Sequence, residues 1–150
     1  MGTTALADAK SALSLTIAHN MDNVQAITNK ELWQYMGLDS ATGKDASGSK
    51  FMTLQANTTS PTAAPTAAGT GSYIIYQYTR GGVILECAID LTNQTMTWNT
   101  NNNDAKRVKA LADGLKITAP AASGTGTTVT GTAKVGTIGI VTTLKFAAGK

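Results

Sequence analysis

The side chains best suited to chemistry are few in this sequence, and they do not form a recognisable catalytic set. The chain has one histidine, His19, and one cysteine, Cys87. A metal site or a catalytic triad needs further ligands, or a nucleophile and a base, and no sequence motif places them near His19. Cys87 has no partner for an intrachain disulfide, and its place in an alternating strand favours a small buried side chain over a reactive or intermolecular thiol. We therefore predict no enzyme activity, no cofactor and no metal.

The polar loop at 39–49 has no ligand signature either. It lacks the alternating ligands and terminal glutamate of a calcium loop, and Gly43-Lys44 lacks the flanking residues of a phosphate loop. A later predicted helix carries a basic trio, Lys106, Arg107 and Lys109. The trio could bind an acidic partner or nucleic acid, but a solvated helix face is the usual explanation. With a net charge of only +3, we predict no nucleic-acid partner.

The elements that would position any site are organised around three predicted strands between Tyr73 and Thr100. Val83 to Leu91 alternates apolar residues with others at the period of two that is typical of a strand with one buried face. Two-residue turns at Gly81-Gly82 and Asn93-Gln94 bring the apolar side chains of all three strands onto one face. The residues of this sheet face, predicted to pack or to form an interface, are Ile74, Tyr76, Tyr78, Leu85, Ile89, Met96 and Trp98.

The two turns also predict a register. The first pairs Tyr76 with Cys87, and the second pairs Ile89 with Trp98. A slip of one residue would turn each strand's apolar side chains outward, so the agreement between the two turns supports this register. The opposite face should be mostly solvated. Two apolar residues interrupt it and could mark a contact patch, Ile75 and Ile84.

The N-terminal segment predicts an amphipathic helix over 5–18. Its apolar residues recur at three- and four-residue steps and make one stripe. Thr3 or Thr4 would cap the helix, and the polar run at 19–23 would break it.

Two shorter helices have clear end signals. Thr28 and Glu31 form a capping box before a helix that ends at Gly37. Asp104 precedes a helix over 105–113, which Gly114 closes.

The order of elements predicts a single α+β domain over residues 1–150. An antiparallel β-meander at about 73–100 and a C-terminal hairpin at about 128–146 would pack against the N-terminal amphipathic helix and the short helices. Lys50 to Gln55 is a candidate short strand, and the Gly- and Thr-rich hairpin is a candidate for pairing with another chain. Flexible connectors are expected near 39–49, 56–72 and 119–127.

Composition indicates an extracellular or virion protein. Charged residues make up 14% of the chain, against roughly 25% in an average soluble protein, and threonine is in excess. Such surfaces suit secreted, fibre-forming or virion proteins. No segment approaches the roughly 20 apolar residues of a membrane span. The N-terminus lacks the regions of a signal peptide, which indicates a cytoplasmic chain or, as we expect, a mature or trimmed form.

An alanine-rich helix at 5–18, a long Gly/Thr/Pro connector at 39–72 and a meander at 73–100 resemble, in that order, the globular head of a type IV pilin. The long apolar helix that forms the spine of single-chain pilins is absent, as is the C-terminal loop that many pilins close with two cysteines. The absent spine fits a truncated chain or the head chain of a split pilin, in which a separate short chain supplies it (the geopilin arrangement).

The resemblance implies a non-enzymatic structural subunit of an extracellular or cell-surface filament. Such a subunit would assemble through its sheet and N-terminal helix with other filament subunits, including a short helical spine chain. Two alternatives remain open from the sequence. One is a phage virion structural protein, such as a decoration or tail subunit. The other is a secreted ligand-binding module whose loops at 39–49 and 56–72 hold the ligand.

Overall fold

The structure is a computed structural model that describes residues 1–58, 61, 63–102 and 104–117 and the backbone of 128–135 and 138–145. Its elements in chain order are α1 (Gly2–Asp22), α2 (Asn29–Met36), β1 (Lys50–Gln55), β2 (Tyr73–Arg80), β3 (Val83–Asp90), β4 (Thr95–Thr100), α3 (Ala105–Gly114), β5 (Thr128–Val135) and β6 (Ile138–Lys145). The predicted α+β class is confirmed. The predicted connector at 119–127 and the last residue of the predicted hairpin, Phe146, lie outside the described residues.

One antiparallel sheet of four strands, in the order β1-β2-β3-β4, forms the centre of the fold. The first predicted turn is confirmed, because Gly81 and Gly82 both have positive φ (57° and 77°) and Tyr76 lies opposite Cys87. The candidate strand at 50–55 is also confirmed and pairs with β2. The predicted C-terminal hairpin is present as β5 and β6, which pair antiparallel.

The second turn is longer than predicted, and its register was wrong by two residues. Ile89 lies opposite Met96 instead of Trp98. The cause is the side chain of Asp90, whose Oδ1 accepts the backbone N–H groups of Thr92 and Asn93 at 2.9 and 3.0 Å. These bonds favour a four-residue turn over a two-residue one. Because the shift is even, every side chain keeps its predicted face.

Helix α1 extends beyond the predicted range at both ends. Met1 is its N-cap residue, and no side chain caps it, so the predicted threonine cap was wrong. Gly2 is buried against α3, where an added Cβ would lie 2.6 Å from the Leu111 carbonyl oxygen. This tertiary contact fixes the first turn without a cap. The predicted break after Ala18 was also wrong, since the helix continues to Asp22 and the Asn23 side chain then hydrogen-bonds the His19 carbonyl at 2.7 Å.

Helix α2 begins and ends as predicted, and α3 begins as predicted. Both bonds of the Thr28–Glu31 capping box are present, and Gly37 ends α2 in the left-handed region with φ of 69°. Asp104 accepts two backbone N–H groups at the start of α3. The predicted end of α3 was one residue short, because Leu115 is its C-cap and its last residue is Gly114. A Cβ there would lie 2.7 Å from the Thr3 backbone nitrogen, so glycine permits α1 and α3 to touch.

Helix α2 and the loop before β1 close the outer edge of the sheet. Trp33 is fully buried, and its Nε1 donates to the Met52 carbonyl at 2.7 Å. Asn29 Oδ1 accepts the Leu54 N–H at 2.7 Å, and the Met52 N–H donates to the Gly43 carbonyl at 3.1 Å. A free strand edge invites pairing with another chain, and these bonds occupy the groups through which β1 would pair.

The connector at 56–72 is more closely packed than predicted. Its carbonyls at Ala67 and Gly69 accept the first backbone N–H groups of α2, and the Asn29 amide donates to the Thr66 carbonyl at 3.0 Å. The opposite face of the sheet is correspondingly less solvated than predicted. Ile75 is fully buried, whereas Ile84 keeps 38% of its surface exposed. Two neighbours on that face are also buried, Thr53 and Ala88.

We predict that Asn29→Ala lowers the free energy of unfolding by about 2–3 kcal/mol, because it leaves the Leu54 N–H and the Thr66 carbonyl without their partner. Urea denaturation followed by tryptophan fluorescence measures the loss. Lys30→Ala is the matched control, since Lys30 is exposed and only its backbone N–H contacts the connector. A loss for Asn29→Ala as small as that of the control would contradict this assignment.

Candidate functional site

The predicted sheet face lies inside the protein. Tyr78 is half-buried and packs against the core, and the other six residues are fully buried within it. Helices α1, α2 and α3 contribute the side chains that cover this face, including Leu13, Trp33 and Leu111. The face is therefore occupied by the chain's own helices. Its one buried polar atom without a partner among the described residues is Nε1 of Trp98.

The polar contact that joins α1 to the sheet is centred on Asp8. The Tyr76 hydroxyl donates to Asp8 Oδ2 at 2.6 Å, and Lys50 Nζ lies 3.0 Å from the same oxygen. Lys50 Nζ also lies 5.7 Å from the centre of the Tyr78 ring, within the range of a cation–π contact. Helix geometry explains the position of Asp8, since it lies three and four residues from the buried residues Ala5 and Ala12. In the sequence, the only sign of this contact was the carboxylate of Asp8 next to the apolar stripe of the predicted N-terminal helix.

Burial raises the pKa of two side chains that face the core, Tyr76 and Cys87. Burial, followed by the hydrogen bond to Asp8, raises the pKa of Tyr76 far above its usual value. Burial also raises the pKa of the Cys87 thiol, which is fully buried. A thiol kept protonated and away from solvent is a poor nucleophile. Both groups act as packing residues in this arrangement.

The most convergent set of chemical groups lies where α1 meets α2. His19 Nδ1 lies 3.1 Å from the Tyr35 hydroxyl, and His19 Nε2 lies 3.2 Å from Glu31 Oε2. Sequence reasoning missed these partners because they lie on a different helix. A hydroxyl, a histidine and a carboxylate in line are the parts of a nucleophile-activating relay.

The surroundings of this cluster favour a structural role. Glu31 Oε1 accepts from the Thr28 backbone and hydroxyl, so the same carboxylate caps α2. A catalytic relay also needs a cleft with groups that stabilise developing charge. His19, Glu31 and Tyr35 do not line the grooves formed by the 37–55 and 61–70 segments, β2 and Asn29 in the described part of the chain. The cluster fastens the end of α1 to α2.

Carboxylates in the loops accept hydrogen bonds from backbone N–H groups of the turns in which they lie. Asp39 Oδ1 accepts the backbone N–H groups of Ala41 and Thr42 at 2.8 and 3.0 Å, and these bonds lower the pKa of Asp39. Within the described residues, no group of three or more His, Cys, Asp or Glu side chains converges to hold a metal ion. The basic trio on α3 is exposed. Lys109 forms a surface ion pair with Asp113, a pair type that contributes only about 0.3–0.5 kcal/mol.

No helix in the described part of the chain combines the length and apolar character needed to cross a membrane. Comparisons with protein-family models, with curated proteins and with solved structures found no match to this chain.

We predict that the stability of the protein falls above pH 10 because of Tyr76. Its folded pKa lies above the ordinary value of about 10, so the folded state retains a proton that the unfolded state releases. This contribution is complete below pH 10 and declines as the pH rises beyond it. Between pH 10 and 11 the wild-type free energy of unfolding should fall by about 1 kcal/mol more than that of Tyr76→Phe. Denaturant titrations at the two pH values measure both slopes, and parallel slopes would refute the prediction.

Proposed function

We propose that this chain is a non-enzymatic structural subunit of an extracellular filament, similar in plan to the head domain of a type IV pilin. It assembles through its N-terminal helix and its sheet with other filament subunits, including a short helical chain that supplies the spine. Its location is the cell surface or the extracellular space.

The exposed face of α1 is the observation that carries this proposal. The exposed residues of the helix are Thr3, Thr4, Ala7, Ser11, Ser14, Leu15, Ala18, Asn20, Met21 and Asp22. Only Asp22 among them is charged, although the exposed face of a surface helix is usually rich in charged residues. Met21 is 81% exposed and Leu15 is 38% exposed. The exposed residues from Thr4 to Met21 carry no charge over about 25 Å at 1.5 Å per residue, and the partly exposed Lys10 lies at the border of this face.

Such a face suits a contact between subunits. Charged residues are depleted from the cores of protein interfaces, and small side chains allow helices to approach closely. The Asp8 contact with Tyr76 and Lys50 fixes the rotation of α1 on the sheet, so this face is presented in one orientation. The inward sheet face is already covered, which leaves the outer face of the sheet for contacts in the assembly.

Charge placed on the exposed face of α1 should block assembly while the fold is kept. We predict that Ser11→Glu and Leu15→Glu each reduce the chain in the sedimented filament fraction from native cells at least tenfold, because a carboxylate would be buried without a partner. Both side chains are exposed in the subunit, so the melting temperatures should stay close to that of the wild type.

Ala110→Glu is the matched control, because it adds the same charge at an exposed position of α3. This variant should assemble at the wild-type level. Wild-type amounts of Ser11→Glu and Leu15→Glu in the filaments, or a wild-type chain that never sediments with filaments, would overturn the proposal.

A further inference from the structure

A groove of about 490 Å³ lies on the outer face of the sheet, between the 39–49 loop and the connector. Its volume falls within the range of about 300–1,000 Å³ that is typical of small-molecule sites. Phe51 and Gln77 on β1 and β2 line its sheet side, Lys44 and Ser49 line one wall, and Pro61 and Pro65 line the other. This groove lies away from α1 and takes up the part of the outer sheet face formed by β1 and β2.

The sheet itself places the key side chains in a row. Lys44 forms a β-bridge with Phe51, Phe51 lies opposite Gln77, and Gln77 lies opposite Glu86. Directly opposed residues of neighbouring strands point to the same face, about 5 Å apart. A cation, an aromatic ring and an amide therefore stand side by side over about 10 Å.

Hydrogen bonds hold this row in place before any ligand arrives. Gln77 Nε2 donates to Glu86 Oε2 at 2.6 Å, which orients the amide. The loop that carries Lys44 is joined to the sheet, because the Thr79 N–H donates to the Ser49 carbonyl at 2.8 Å and the Met52 N–H donates to the Gly43 carbonyl at 3.1 Å. A site that is ordered in advance loses less entropy when it binds.

The charge of the groove selects an anion. Among the described lining residues Lys44 is the only charged one, and the Glu86 carboxylate next to the lining is bonded to the Gln77 amide. The remaining lining joins apolar ring surfaces from Phe51 and the prolines with hydroxyl and amide groups, which can both donate and accept hydrogen bonds. A ligand that matches has an apolar ring face, several hydroxyls and at least one negative group.

An extended peptide is the poorer fit. A peptide strand would add to a sheet edge through its backbone, and the neighbouring edge of β1 is already bonded to Gly43, Asn29 and Trp33. We propose that this groove binds a short acidic saccharide, with its carboxylate beside Lys44, a sugar ring against Phe51 and hydroxyls bonded to Gln77 and Ser49. The proposal goes beyond the filament role and stands independently of it.

The test is NMR titration of the intact chain with a trimer of galacturonic acid, with the methyl-esterified trimer as the uncharged comparison. The acidic trimer should shift the backbone signals of Lys44, Phe51, Gln77 and Thr79, and it should bind at least tenfold more tightly than the ester. Lys44→Gln should weaken binding about tenfold and remove the preference for the acid. Phe51→Leu should weaken binding of both trimers.

Lys109→Gln on α3 is the matched control, because it removes the same charge far along the chain from the groove and at an exposed site. It should leave the affinity unchanged. Absence of shifts in the groove at millimolar trimer, equal binding of acid and ester, or unaltered binding by Lys44→Gln would each overturn the proposal.

Discussion

The contact of Asp8 with Tyr76 and Lys50 is the constraint on which the arrangement of surfaces depends. Apolar packing alone allows a helix to slide or rotate on a sheet, because the hydrophobic effect has no direction. A partly buried carboxylate that accepts from a hydroxyl at 2.6 Å and meets an ammonium at 3.0 Å has one good position. The contact therefore decides which side of α1 covers the core and which side faces outward, where Asp22 is the only charged residue of the helix classed as exposed.

A second set of polar contacts shapes the other side of the molecule. Asn29 and Trp33 bring α2 against β1, and the start of α2 holds the connector through the carbonyls of Ala67 and Gly69. The connector then forms one wall of the groove above Phe51 and Gln77. Helix α2 thus both closes the sheet edge and anchors the connector that lines the outer groove. The fold presents two separate surfaces, an uncharged helix face and a groove with one cation.

The sequence predicted those turns and helix ends that depend on residues close together along the chain. Gly81 and Gly82 are the residues that a two-residue turn requires, and Thr28 and Glu31 cap the helix that they begin. The second turn was missed because the Asp90 side chain competes for backbone N–H groups. Asp8 and Tyr76 are 68 residues apart, so no local pattern joins them. The two loops of the groove were recognised as loops, but loops have no periodicity from which their approach could be predicted.

The central claim is that this chain is built into a filament, and imaging of native material tests it most directly. Negative-stain electron microscopy of the protein from its natural source, with mass spectrometry of the chains that copurify, identifies the assembly. The account predicts filaments that contain this chain together with a short, apolar second chain. A capsid or a phage tail that contains the chain would contradict it, and so would a dispersed protein with no filament.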